Sequence, residues 1–220
     1  MSQVSRAYLT SQSFLRQARD LVNQSREAGR LLFSPDATAL LVIDLQRYFT
    51  DPASHAYVPG AGDVLAAVRR LAAAFSAHGL PIFFTRHANA PENAGMLARW
   101  WDDLITEGSP LAELSPDVDP SLGTVVPKTQ YDAFHGTGLQ GILNDRGIER
   151  VVITGVVAHL CCETTARAAF VHGFQVTFPV DATVSYGEDH HLATLLNLGH
   201  GFASLGFVDD LIEAMGKAPR

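Results

Sequence analysis

Short, almost unbroken apolar runs alternate along this chain with longer stretches in which apolar residues recur every three or four positions. The runs are ALLVI at 39–43, PIFFT at 81–85, TVVP at 124–127, VVIT at 151–154 and QVTFPV at 175–180. Runs of this kind fit strands buried on both faces, as in a parallel sheet. Helical spacing covers 64–78, with Leu65, Val68, Leu71, Ala72 and Phe75 on one face and Gly79 at the end. It returns at 138–145, 164–172 and 190–200, with glycines at 147, 173, 199 and 201 near the helix ends. The stretch 89–120 is polar and broken by Gly and Pro, with a short helix expected around 96–105. A last short strand is expected to begin at Phe207, and a last helical turn to cover 209–215. Strands alternating with helices predict an α/β fold with a mostly parallel sheet covered on both faces and joined by right-handed crossovers.

Residues 1–30 read differently. Leu9, Phe14, Leu15, Ala18, Leu21 and Val22 recur at helical spacing, and Gly29 could end the helix. One amphipathic helix has no core of its own. This arm, assigned to 1–36, should pack on the domain at 37–220 or on a neighbouring subunit, and an apolar stripe of that kind points to a homo-oligomer.

Composition narrows the partners. Asp and Glu outnumber Lys and Arg by 23 to 16, a net charge of −7. With no basic run to neutralise phosphates, neither nucleic acid nor an acidic membrane surface is an expected partner. No apolar run is long enough to span a membrane, and the first residues lack the pattern of a signal peptide. The two cysteines are adjacent and form no disulfide framework. A cytoplasmic enzyme or binding protein acting on a small molecule is the expectation.

Candidate chemistry gathers at strand ends. Asp44 follows the run 39–43, Lys128 follows 124–127, and Cys161 follows 151–154 by way of Gly155, where a glycine turn is expected. Ligands of parallel sheets bind beyond the carboxyl ends of the strands. A Cys where a helix opens feels the positive end of its dipole, and a nearby Lys ammonium adds to this, so a thiolate is expected. Free N–H groups of the same helix end can hold an oxyanion. A thiolate attacking a carbonyl carbon needs a group to move protons, and Asp44 could do so. Singly, each residue has a structural role to explain it. A buried Cys packs as a small hydrophobe, an Asp after a strand caps a turn, and a Lys is solvated. The functional reading rests on the three together.

The segments LLVIDLQRYF, PKTQYDAFHGTGL and TGVVAHLCCETTARAAF, in this order, resemble the isochorismatase-like hydrolase superfamily. These are the cysteine hydrolases that include nicotinamidases, N-carbamoylsarcosine amidohydrolase and the isochorismatases. The likeness covers about 37–213. It implies a Rossmann-like three-layer α/β/α fold and a triad of Asp44, Lys128 and Cys161, with Cys162 directed into the packing. It also implies a non-proline cis peptide between Val156 and Val157, with the Val157 and Cys161 N–H groups as the oxyanion hole. The motifs YDAFHGT and GVVAH look more like those of isochorismatases than those of nicotinamidases, but isochorismatases cleave a vinyl ether and typically carry Gly where this chain has Cys161. A thiol there argues for a C–N-bonded carbonyl: an amide, ureide or carbamoyl group. Nicotinamidases bear a metal site of Asp and His residues after the second strand. RHANAPENAG has one His and no D-x-H pair, so no metal is expected and no other cofactor is implied, although His87 could touch substrate.

The expected pocket wall comprises Gln46 and Phe49 after Asp44, Tyr131 and Phe134 after Lys128, His159 on the rim, and Arg99 and Trp100 in a long loop that could act as a lid. Trp101 or its neighbour could simply pack that loop down. Aromatic walls with one Arg suit a planar or carboxylate-bearing molecule. Two alternatives stay open: an ether hydrolase in which Asp44 protonates substrate, and a non-enzymatic binding or redox-sensing protein using the paired thiols.

Overall fold

The computed structural model describes residues 8–27 and 33–217, so the helix end expected at Gly29 lies outside the described residues. The sheet is built from β1 (Thr38–Ile43), β2 (Ile82–His87), β3 (Thr124–Lys128), β4 (Arg150–Val156), β5 (Gln175–Pro179), the two-residue β6 (Thr183–Val184) and β7 (Ala203–Gly206). The order across it is β3-β2-β1-β4-β5-β7, with β6 paired to the end of β4, and every pairing is parallel. Every residue of β1 is buried, as an unbroken apolar run at the centre of a parallel sheet requires. β3 lies at the edge and carries Pro127. An edge tolerates a residue with no N–H to give.

Helices cover both faces, making three layers. α3 (Ala61–Ala77) packs on β1, β2 and β4 beside α8 (Val208–Lys217). α6 (Glu163–Val171) packs on β4 and β5 beside α7 (Glu188–Gly201). α5 (Leu139–Asp145) connects β3 to β4. The chain order reverses between β1 and β4, one strand leading outward to β2 and the other to β5. A crevice opens at such a switch point, beyond the strand ends.

Several boundaries differ from the sequence reading, each for a visible reason. Gly155 is not a turn but part of β4, opposite Ile43. Its φ is +110°, and a Cβ there would stand 2.0 Å from the Ile43 carbonyl oxygen. The helix expected at 96–105 is only one turn, Leu97–Trp100. Beyond it the chain runs back to the end of β2, where Asn89 donates to Ile105 O and accepts from Glu107 N–H. Those backbone bonds replace the ones a longer helix would have made. The last strand ends at Gly206, before Phe207, because the Asp210 carboxylate takes the Phe207 N–H and Asp181 takes that of Val208, fixing the start of α8.

α1 (Gln12–Glu27) lies against α7 and β7 of its own domain, burying Phe14, Ala18 and Val22. Ser25 Oγ accepts the Leu205 N–H, so α1 covers the open edge of β7. Phe14 stacks on His191 at 5.0 Å and meets the Tyr8 ring edge-on at 5.1 Å. The apolar stripe is thus satisfied within the chain, and the argument from it to a homo-oligomer loses its footing. His191, fully buried between Tyr8 OH and Thr183 Oγ1, has its pKa lowered to about 3, by burial first and by His159 second.

Phe14→Ala should cost about 3–5 kcal/mol in urea unfolding of the full chain. The folded state excludes the proton that the unfolded chain binds at His191 below about pH 6.5. Stability should therefore fall as pH drops from about 6.5 toward about 3, and His191→Gln should flatten that limb.

Candidate active site

The deepest feature at the crevice is a buried ion pair. Lys128 Nζ, at the end of β3, stands 2.8 Å from Asp44 Oδ2, just past β1, and both side chains are fully buried. Asp44 has a φ of +49°, a left-handed conformation that Asp tolerates better than most residues. Thr85, from the intervening strand β2, holds it there. Its hydroxyl accepts the Asp44 N–H at 3.0 Å and donates to Oδ1 at 2.6 Å. Oδ2 meets the ammonium as a charge but accepts no aligned hydrogen bond. It remains available to a further donor.

Lys128 is a hub. Its ammonium donates to Gln130 O at 2.7 Å and Tyr131 O at 3.2 Å, and stands 3.2 Å from His87 Nδ1 and 3.5 Å from Cys161 Sγ. Burial alone would pull its pKa down. The Asp44 carboxylate and the Cys161 sulfur more than offset this and hold it above the usual lysine range. His87, at the end of β2, has its Nε2 2.8 Å from Asn89 Oδ1. That contact places the ring proton on Nε2 and leaves Nδ1 to accept from Lys128. Burial first, then the Lys128 charge, lower the His87 pKa, so the ring is neutral.

Cys161 sits in a single π-helical turn, Ala158–Cys162, between β4 and α6. The Val156–Val157 peptide before it is cis. Cys161 Sγ, an Asp44 carboxylate oxygen and a His87 ring nitrogen all lie within 4.8 Å of one another. Burial pushes the Cys161 thiol well up, Asp44 adds to this, and Lys128 offsets only part. Burial thus opposes the thiolate expected from the sequence, and the α-helix whose dipole would favour it begins only at Glu163. Cys162 is fully buried with its sulfur toward Thr154 O at 3.9 Å, directed into the packing.

A cavity of about 340 Å³ opens above Cys161, with walls that include Tyr48, Phe49, Trp101, Tyr131, Leu160 and Tyr186. Of the expected wall, Phe49 and Tyr131 are there. Trp100 lies outside it and Trp101 takes that place, its indole N–H donating to Tyr131 OH at 2.6 Å. Gln46 does not line the cavity. Its amide is spent on His87 N–H and O and on Ala112 O, fastening β1 to β2 and the loop. Phe134 packs on Phe174 and His172. His159 turns to Ser185 Oγ and stacks on His190. Arg99 is exposed and does not line the cavity. Tyr48, His55 and Asp103 close one side, with Tyr48 OH 3.2 Å from both His55 Nε2 and Asp103 Oδ2.

Known proteins resemble this chain in sequence and in fold. Residues 38–209 match the Isochorismatase domain family. The chain belongs to that family. Nicotinamidase 3 of Arabidopsis thaliana is 40% identical over 182 residues, covering 80% of this chain and 88% of the relative. A cysteine hydrolase from Pseudomonas syringae pv. phaseolicola shares the fold with a TM-score of 0.82 at 23% identity, over 86% of this chain and 97% of the other. A pyrazinamidase of Pyrococcus horikoshii in complex with zinc aligns with a TM-score of 0.71 at 27% identity, over 78% of this chain and 99% of the other. As an isochorismatase-family hydrolase, this chain could be asked to hold a metal between Asp44, His87 and Cys161. The residues do not fit one. The Lys128 ammonium already meets all three ligand atoms, at 2.8, 3.2 and 3.5 Å. After β2, His87 and Asn89 are spent on each other.

Tyr48, His55 and Tyr186 were not assigned to the site from sequence, and His87 was offered only as a substrate contact, although it ends a strand as Lys128 does. Tyr48 stands on the one-turn helix α2 (Arg47–Thr50), and His55 and Tyr186 on loops, whose path no local pattern gives.

With its thiol pushed up by burial, Cys161 should react slowly with iodoacetamide near neutral pH and steadily faster into the alkaline range. Fast labelling at pH 6–7, followed by mass spectrometry of the 158–167 peptide, would contradict this electrostatic account.

Proposed function

We propose that this protein is a cysteine-dependent amidase that hydrolyses the C–N bond of a small amide-like compound through Cys161, Asp44 and Lys128. The observation that carries the reading is the Cys161 sulfur at the cavity floor, within 4.8 Å of an Asp44 carboxylate oxygen. Asp44 is in turn held by Lys128 at 2.8 Å. The likeness to a nicotinamidase and to a pyrazinamidase supports the amide as the bond broken.

The substrate carbonyl carbon would sit over the sulfur. As the S–C bond forms, the thiol proton passes to Asp44 Oδ2, the oxygen without an aligned donor. Transfer during attack suits a thiol that is neutral at rest. The oxyanion would be met by the N–H groups of Val157 and Cys161. Asp44 then returns the proton to the nitrogen, the C–N bond breaks and the amine leaves, with a thioester on Cys161. Water attacks the thioester, giving its proton to Asp44. Asp44 hands that proton to the departing sulfur, which restores the thiol, and the carboxylic acid product leaves and loses its proton to water. Lys128 stays charged throughout and keeps the carboxylate ionised between proton transfers. The motifs YDAFHGT and GVVAH speak for the ether-cleaving reading, but in it Cys161 would have no work.

Cys161→Ala should keep the fold by circular dichroism and lower ammonia release from a panel of amides and ureides by at least about 1,000-fold. Full retention of a hydrolytic activity in that variant would sink the proposal.

Lys128→Met removes the cation beside Asp44. A buried carboxylate without its cation takes up a proton at higher pH, so the acid limb of kcat/KM should move upward and activity should suffer more at low pH than at high. A uniform loss across pH would assign Lys128 to positioning alone.

A further inference from the structure

The cavity does not end at Trp101. A second apolar groove, also of about 340 Å³, opens beside it, lined by Met96, Leu97, Trp100, Gln130, Tyr131 and Leu160. Leu97, Tyr131 and Leu160 line both spaces, so the groove continues the reaction cavity outward. Met96 and Trp100 are 65% and 74% exposed. Large apolar side chains held open to water beside a reaction cavity are a ready surface for an apolar part of a ligand.

Charge in the two spaces has one sign. Asp102 and Asp103 line the reaction cavity, and among the described residues that line either space there is no Arg or Lys. The lining groups that could carry positive charge are His55 and His87. His87 is kept neutral by burial and by Lys128, and His55 already faces Asp103 at 3.1 Å. Lys128 lies beneath the floor with its charge met by Asp44. A carboxylate on the substrate would find no free cation to receive it and Asp102 near its path, Asp103 being shared with His55. This reverses the expectation of a carboxylate-binding wall with Arg99.

We propose that the substrate is an uncharged amide bearing an apolar substituent. The amide carbon lies at Cys161, the substituent lies in the outer groove on Trp100, Met96 and Leu160, and Asp102 turns carboxylate-bearing analogues away. This rests on the amidase reading and narrows it. The same acid favours departure of the carboxylate that hydrolysis makes.

Three probes test it: benzamide, 4-butylbenzamide and 4-carbamoylbenzoate, assayed by ammonia release with the full-length protein. The butyl group should raise kcat/KM by about tenfold or more, and the carboxylate should lower it by about tenfold. Trp100→Ala should bring the butyl-to-parent ratio down toward 1. Asp102→Lys should raise the carboxylate-to-parent ratio by about tenfold. Equal kcat/KM for all three probes would overturn the proposal. So would a common loss on all three in Trp100→Ala, or an unchanged carboxylate ratio in Asp102→Lys. If no probe releases ammonia, the amidase reading is at fault for this class. Calorimetric binding to Cys161→Ala then decides the proposal on its own: tightest binding by the butyl compound and weakest by the carboxylate supports it, and any other ranking overturns it.

Discussion

The Asp44–Lys128 pair is the constraint on which the site and much of the sheet depend. Two charges taken fully out of water cost several kcal/mol each unless their remaining donors and acceptors are met. Here the partners that meet them come from separate places in the sheet. Asp44 follows β1, Thr85 is on β2, Lys128 ends β3, and the two carbonyls on the ammonium belong to Gln130 and Tyr131. The pair is therefore satisfied only when three strands stand in their native register. A slip of one residue between β2 and β3 would turn Lys128 to the other face. Removing either partner would leave the other charge buried alone, at roughly 3–5 kcal/mol.

That charge pair also decides what Cys161 is. Lys128 is close enough to favour a thiolate, yet its charge is already committed to Asp44, and burial of the sulfur outweighs what is left. In the reaction proposed above, the proton would pass during attack rather than beforehand, which would give Asp44 the more active part. Gly155 makes the approach possible. Only a residue without a Cβ lets β4 run so close to Ile43, the residue just before Asp44, and the chain then passes directly into the turn that bears Cys161.

The strands were legible because burial on both faces leaves unbroken apolar runs, and the chemistry at their ends was legible because parallel sheets gather it there. That rule brought Asp44, Lys128 and the cysteine pair together, and the choice of Cys161 over Cys162 came from the family resemblance. The wall of the cavity was not legible in the same way. Gln46 and Tyr48 are two residues apart on one short turn, yet one clamps backbone between strands and the other faces the cavity. Which way each points is settled by the Ala112 carbonyl and by Asp103, from a loop more than fifty residues on. Trp100 and Trp101 are adjacent and interchangeable by composition. The Tyr131 hydroxyl selects Trp101. Strand boundaries failed where a side chain took a backbone donor, as Asp210 does at Phe207.

The amino-terminal helix shows how the same amphipathic stripe can serve a different end. A stripe without a partner inside its own segment suggests an interface. The sheet, however, ends at β7, a short strand with an open edge, and an uncovered edge is a template for pairing with other chains. α1 lies over it and joins the main cluster of buried residues, Phe14, Ala18 and Val22 included. Its anchor reaches further. Tyr8 OH accepts the Ser185 N–H, and the next residue, Tyr186, is a wall of the cavity. The helix that closes the far edge of the sheet is thereby tied, through one hydroxyl, to the surface against which substrate would rest.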